Sequence, residues 1–268
     1  MINVLKNKIN SLEKVIKKAK KIAVAFSGGI DSTFLLFMSK KVLGNKNVIA
    51  ITGNSFAMPE KELSFCKERA RELEIQHIVV RTSEFLEESY IKNDRMRCYF
   101  CKISLFKTIM PYIPKTYSIA VGTNADDVST ANDRPDIIAE REFGVLSPLQ
   151  EASFCKSDIR RVSEFFGIDI WDKPQTTCLA VRIPFGSTIT QDKIKMIAGA
   201  EEILAKNGFK EAKVRHYGKL AKIDVPKEHV ASLFELGSIG NLVKEIKGIG
   251  FRYVAIDPQG YQTCDPAL

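Results

Sequence analysis

No stretch of this 268-residue chain is long and apolar enough to cross a bilayer, and residues 1–20 lack the unbroken apolar core of a signal peptide. Export and membrane-embedded chemistry are set aside, and the chain is expected in the cytoplasm without a membrane partner. Its three histidines have no ligand-like spacing and are read as ordinary surface or core residues. The Gly-x-x-x-x-Gly-Lys-Ser/Thr phosphate loop is absent, so no lysine within such a loop reaches a γ-phosphate. Six cysteines are present, but in a reducing compartment they do not read as a disulfide framework. They are better read as ligands, catalysts or small core residues.

What is present is core material and positive charge. The 45% hydrophobic content is ample for one large or two modest globular domains. An excess of 40 Lys+Arg over 32 Asp+Glu, net +8, fits anionic partners such as nucleotides, phosphorylated small molecules or RNA. In Met1–Lys20, Leu5, Ile9, Leu12, Val15, Ile16 and Ala19 recur at helical spacing among lysines, which predicts an amphipathic helix packed on the domain. Strands are predicted at 21–26, Asn47–Thr52, His77–Arg81 and Tyr117–Val121. Helices are predicted between them, at Pro59–Glu74, up to about Asn93 and at Cys98–Tyr112. This alternation predicts an α/β fold, a parallel sheet with helices on both faces.

The first strand breaks into Ser27-Gly28-Gly29-Ile30-Asp31-Ser32 and resumes as an apolar helix. Adjacent glycines let the backbone come close to a ligand, and the free N–H groups of the helix's first turn join the hydroxyls of Ser27 and Ser32 around one concavity. A phosphate or pyrophosphate is its natural occupant. Asp31 either caps the helix or helps hold the Mg2+ that accompanies ATP. Ligands in such sheets bind at the carboxyl ends of strands, so Thr52, Gly122, Thr123 and Asn124 are expected to line the same nucleotide pocket. The turn resembles the PP-loop of the ATP pyrophosphatases, which cleave ATP between its α and β phosphates.

Cys98 and Cys101 form a Cys-x-x-Cys at a helix start, a pattern that suits a metal, an iron–sulfur cluster or, less well here, a redox pair. Two thiolates are incomplete for zinc or a cubane cluster. Cys178 supplies a third, in a turn-rich segment four residues before Arg182, and an arginine near a loop cysteine offers a route to a lowered thiolate pKa, a contact that spacing alone does not show. Cys66 falls inside an amphipathic helix, Cys155 shortly before a helix N-cap expected at Ser157, and Cys264 in the tail. These three are read as structural.

Together, Ser27–Ser32, Arg97-Cys-Tyr-Phe-Cys-Lys102, Gly122-Thr-Asn-Ala-Asp-Asp127, Arg134-Pro135 with Glu140, Ser147-Pro-Leu149, Lys173-Pro174 and Cys178-Leu-Ala-Val-Arg-Ile-Pro-Phe-Gly186 resemble the LarE family over nearly the whole chain. The resemblance implies an ATP-dependent sulfur transferase of nickel-pincer nucleotide cofactor biosynthesis. ATP adenylates a carboxylate of pyridinium-3,5-biscarboxylic acid mononucleotide, and a sulfur displaces AMP to leave a thiocarboxylate. Members with one cysteine at the position of Cys178 sacrifice its sulfur. Cys98, Cys101 and Cys178 together are similar to the members that hold a [4Fe-4S] cluster, loaded by a sulfide or persulfide donor. The same set is open to zinc. Val181 departs from the Ser or Thr frequent there.

The rival reading within enzymes is a tRNA thiolase. Against it, no flanking Cys-x-x-Cys or Cys/His zinc modules are present, so a nucleic-acid partner is not expected. A non-catalytic sensor of ATP or iron is the rival from another class, and an amidotransferase-type ligase has no need of three cysteines.

Residues 1–184 are thus read as the PP-loop domain and 185–268 as a small α+β domain for substrate binding and homo-oligomerisation. In the latter, helix Thr190–Asn207, strands Lys213–Tyr217 and Leu220–Val225, a helical region Lys227–Lys247 and a strand Phe251–Ile256 are predicted. Glu201 falls on the apolar face of the first helix, where a carboxylate needs a partner. It is a candidate for metal or substrate contact, or pairs with a lysine at the rim. Arg215 is the candidate for the substrate phosphate.

Overall fold

Val48-Ile-Ala-Ile-Thr52 shows no alternation of apolar and polar residues, the pattern of a strand covered on both faces, and in the computed structural model all five residues are buried. The structure describes residues 2–129, 134–171, 173, 177–235 and 239–261. It divides into two compact units, 1–90 with 95–176, and 91–94 with 177–268.

The first unit runs α1 (Ile2–Ala19), β1 (Ile22–Ala25), α2 (Ile30–Leu43), β2 (Val48–Asn54), α3 (Glu60–Glu72), β3 (Gln76–Arg81) and α4 (Glu88–Ile91). It continues with α5 (Arg97–Ile109), β4 (Ser118–Ala120), α6 (Ala125–Ser129), α7 (Pro135–Glu142), α8 (Pro148–Glu151) and α9 (Lys156–Phe165). The strands form one parallel sheet in the order β3-β2-β1-β4, with Val24 beside Ala50 on one side and Ala120 on the other. Successive side chains point to opposite faces. Val24 and Ala50 therefore join Leu12, Ile16, Phe34 and Phe154 of one core, while Ile51 joins Phe106, Ile109 and Ala139 of the other. The expected parallel sheet with helices on both faces is what forms. The apolar stripe of α1 buries Leu12 and Ile16 completely.

Local chemistry explains where helix ends differ from expectation. The helix predicted to Tyr112 stops at Ile109 and tightens into a 3-10 turn, because Pro111 has no N–H for the next helical bond. The cap expected at Ser157 is at Cys155, whose sulfur and Asp158 close a reciprocal capping box on α9. Cys264 and Pro174 lie outside the described residues.

The second unit contains α10 (Gln191–Lys206), β5 (Lys213–Tyr217), β6 (Leu220–Asp224), α11 (Val230–Glu235), α12 (Ile239–Gly248) and β7 (Tyr253–Ile256). β5 and β6 form a hairpin with Tyr217 opposite Leu220 across the Gly218-Lys219 turn, and β7 adds in parallel to β6. Val214, Ala221, Ile223, Leu204, Leu242, Ile246 and Phe251 form its core. No described helix is long and apolar enough to cross a membrane.

Candidate active site

The strand order reverses at β1, whose neighbours leave in opposite directions along the sheet, and a ligand crevice forms outside the carboxyl ends of strands at such a point. The Phe26–Gly29 turn sits there. Gly28 takes φ +76°, and a Cβ on it would lie 2.9 Å from Cys66 Sγ, so both conformation and space demand glycine. Gly29 precedes the first turn of α2 without any side-chain cap, leaving that turn's N–H groups to a ligand. Ser27 Oγ and Ser32 Oγ are 3.2 Å apart, and the Ser32 hydroxyl also lies 3.1 Å from Gly29 O.

Gly122 lets the end of β4 press on this turn, since a Cβ there would lie 2.8 Å from Ser32 N. The next two residues are buried and oriented. Thr123 Oγ1 donates to Glu140 Oε2 at 2.8 Å, and Lys102 Nζ donates to Glu140 Oε1 at 3.0 Å. Asn124 Oδ1 accepts the N–H groups of Asp126 and Asp127, while its buried Nδ2 has no partner among the described residues. Thr52 is placed under the turn. Its hydroxyl donates to Phe26 O at 2.7 Å and lies 2.8 Å from His77 Nε2. A hydroxyl has one proton, so His77 Nε2 carries the donor to Thr52. Burial lowers the His77 pKa and favours this neutral ring.

Asp31 lies in the first turn of α2. Burial raises its pKa, partly opposed by Lys156 at 3.6 Å, and Oδ1 has no hydrogen-bond partner among the described residues. An orphaned carboxylate oxygen of this kind suits a hard cation.

Lys173 comes from far along the chain. Its Nζ lies 3.0 Å from Gly28 O and 2.8 Å from Glu62 Oε2, and 3.6 Å from the centre of the Phe65 ring. Arg160 of α9 holds the segment by donating to the carbonyls of Trp171 and Lys173.

The cysteines fall in both units. Cys98 and Cys101 occupy the second and fifth positions of α5, Cys98 exposed and Cys101 half-buried, so an i, i+3 pair shares one helix face. Cys178 belongs to the second unit, exposed, with its sulfur accepting Ala180 N–H at 3.3 Å. Among the described residues no three His, Cys, Asp or Glu stand together as a metal-holding group. The Cys-x-x-Cys pair has the soft-donor chemistry of zinc or iron–sulfur ligands.

In the second unit, buried Arg182 donates through Nε to Glu201 Oε1 at 3.0 Å and through Nη1 to Thr177 Oγ1 at 2.7 Å. Glu201 Oε1 also accepts Val214 N–H at 3.0 Å. The partner that Glu201 needs is thus an arginine and a strand N–H. Arg215 Nε is 2.6 Å from Asp224 Oδ2. Lys213 sits among these groups, its pKa lowered by burial and then by the charges of Arg182 and Arg215.

Residues 1–97 match the PP-loop domain family. A pyridinium-3,5-bisthiocarboxylic acid mononucleotide synthase from Lactiplantibacillus plantarum is 31% identical over 260 residues, 97% of this chain and 93% of that protein. The chain belongs to the LarE family. Two uncharacterized proteins are similar to it as well. One from Synechocystis sp. is 35% identical over 261 residues, covering 97% of this chain and 96% of its own. One from Methanocaldococcus jannaschii is 31% identical over 262 residues, covering 97% of each chain. Within this LarE-family chain, the sequence reading left two site features without a role. Lys173 and Glu140 were visible only as parts of motifs, and a charged residue preceding proline or an acid inside a helix gives no local signal of its distant partner.

Proposed function

We propose that this LarE-family chain is an ATP-dependent sulfurtransferase acting on pyridinium-3,5-biscarboxylic acid mononucleotide. The observation that carries the reading is the 31% identity spread over 97% of the chain to a synthase of the bisthiocarboxylic acid mononucleotide. The uncapped glycine turn at the sheet's switch point supports it. A substrate carboxylate oxygen attacks the α-phosphorus of ATP, pyrophosphate leaves, and an acyl adenylate forms. A sulfur nucleophile then attacks the acyl carbon and AMP leaves. Two such cycles give the dithio product.

In this reading Ser27, Gly28, Gly29 and Ser32 receive the phosphates, and Gly122, Thr123 and Asn124 line the nucleotide pocket, with Thr52 fixing the turn from below. Asp31 holds the Mg2+ of MgATP. Arg182, oriented by Glu201, acts beside Cys178, and Arg215 binds the substrate phosphate with a fork of donors. Cys98, Cys101 and Cys178 would hold a [4Fe-4S] cluster, which supplies an iron free of protein ligands for transferable sulfide. The protein is expected to use a sulfide or persulfide donor, to work in the cytoplasm, and to form a homo-oligomer.

The test is anaerobic purification with visible absorption and iron and labile-sulfide analysis, alongside replacement of Cys98, Cys101 and Cys178 by Ala. A brown protein whose iron and sulfide vanish in the triple variant is the expected result. A colourless protein after anaerobic reconstitution would sink the cluster. The exposed Cys178 sulfur, accepting a backbone N–H, favours one second reading. There the thiolate attacks the acyl adenylate, AMP leaves, and β-elimination yields thiocarboxylate and dehydroalanine at 178. Intact-chain mass after turnover would then drop by one hydrogen sulfide.

A further inference from the structure

We infer that Lys173 grips the pyrophosphate portion of the nucleotide, supplying from elsewhere in the chain the cation that the glycine turn lacks. This rests on the ATP reading above. The turn offers only backbone N–H groups and hydroxyls, whereas a triphosphate bound with one magnesium ion keeps net negative charge. Lys173 Nζ already lies on the turn, 3.0 Å from Gly28 O. That oxygen belongs to the glycine turn itself, so the ammonium stands directly against the loop that is to receive the phosphates. Of its three N–H donors, Gly28 O and Glu62 Oε2 engage two, and the Phe65 ring centre 3.6 Å from Nζ is the neighbour of the third, a weaker acceptor than a phosphate oxygen.

The surroundings hold the charge in place. Lys173 and Glu62 side chains are 18% and 9% exposed, and the Phe65 ring lies beneath the ammonium. Arg160 fixes the backbone through the carbonyls of residues 171 and 173. Glu62 acts as the resident anion in the nucleotide's absence. When phosphate arrives, the ammonium turns from one anion toward the other through its flexible stem, with no backbone movement needed.

A salt bridge that merely staples the fold makes a different prediction. The test measures binding of α,β-methylene-ATP and of AMP, each with magnesium, to the full chain and to Lys173→Gln, Lys173→Arg and Glu62→Gln. Lys173→Gln is expected to weaken the triphosphate analogue about tenfold while leaving AMP unchanged, and Lys173→Arg to restore part of the loss. Glu62→Gln, which frees the ammonium from its competitor, is expected to tighten the analogue. Equal binding of the analogue by wild type and Lys173→Gln would overturn the inference and leave the ATP reading standing. So would parallel weakening of both nucleotides in Lys173→Gln and Glu62→Gln, the mark of a staple. Failure of the wild type to bind either nucleotide would overturn both readings together.

Discussion

Asp31 carries a cost to the fold that its chemistry explains. Burial raises its pKa above the ordinary 3.8, Lys156 at 3.6 Å offsets only part of this, and one carboxylate oxygen has no hydrogen-bond partner among the described residues. A buried charge without full pairing destabilises the folded state. Asp31→Asn keeps the shape and removes the charge, so its Tm is expected to rise by about 2–4 °C, the effect of about 1 kcal/mol in a protein of this size. Pyrophosphate release from ATP is expected to fall by about a hundredfold, the scale of losing one electrostatic contact to the reacting phosphates. Thermal unfolding and a pyrophosphate assay on the same samples check both. A lowered Tm would mean that Asp31 serves the fold as a helix cap. Asp31 was legible in the sequence because its place in the first turn of α2, directly after the Ser-Gly-Gly loop, is set by the local pattern, although its partner Lys156 was not. Lys173 was not, since 145 positions separate it from Gly28 and neither end signals the other. Thr52 shows the intermediate case: its position at a strand end was readable, but the direction of its hydroxyl depends on Phe26 and His77, which sequence spacing does not reveal.

Elements repeat the same division between local and distant causes. The buried runs of β1 and β2 and the apolar stripe of α1 specify their own faces, and Pro111 stops α5 by its own covalent structure. Asn93 obeys a tertiary logic instead. It sits in the short 91–94 segment at φ 58°, a conformation asparagine tolerates better than most residues. Its Nδ2 lies 3.3, 2.8 and 2.8 Å from the carbonyl oxygens of Ile183, Pro184 and Ser187. Its own carbonyl accepts Gly186 N–H at 2.9 Å. One fully buried side chain therefore holds the loop that follows the Cys178 turn. Asn93→Ala removes the Nδ2 bonds, leaves buried carbonyls unsatisfied and strains φ, so it is expected to cost about 2–3 kcal/mol. Asn93→Asp should cost more, because it aims carboxylate oxygen at three carbonyl oxygens. Urea unfolding of the second unit checks the order. If Asp equals wild type, the loop is held by other contacts.

For the whole molecule, pH offers a test that treats the two units separately, because each carries one histidine kept neutral by burial. His77 lies beneath the glycine turn of the first unit and His216 inside the second, where it packs against Phe251 and its Nδ1 has no partner among the described residues. Burial lowers both pKa values from the ordinary 6.5. A base with a lowered folded pKa binds protons more readily when unfolded, so its contribution is fully present above 6.5 and stability falls as pH drops through that value. The slope is at most about 1.4 kcal/mol per pH unit for each ring until the folded form also protonates. Acidic groups act lower and in both directions. Asp31, raised, gains stability as pH falls toward 4, whereas Asp158 and Asp257, both lowered from 3.8, lose theirs below that value. Between pH 6.5 and about 5 the histidines therefore decide the slope. His77→Gln, which keeps a donor for Thr52, should flatten the acid dependence of the first unit's urea unfolding. His216→Phe should flatten that of the second. If His216→Phe keeps the wild-type slope, the second unit's lost stability comes from other groups; if His77→Gln keeps it, the neutral His77 ring that orients Thr52 under the glycine turn is not what acid disrupts.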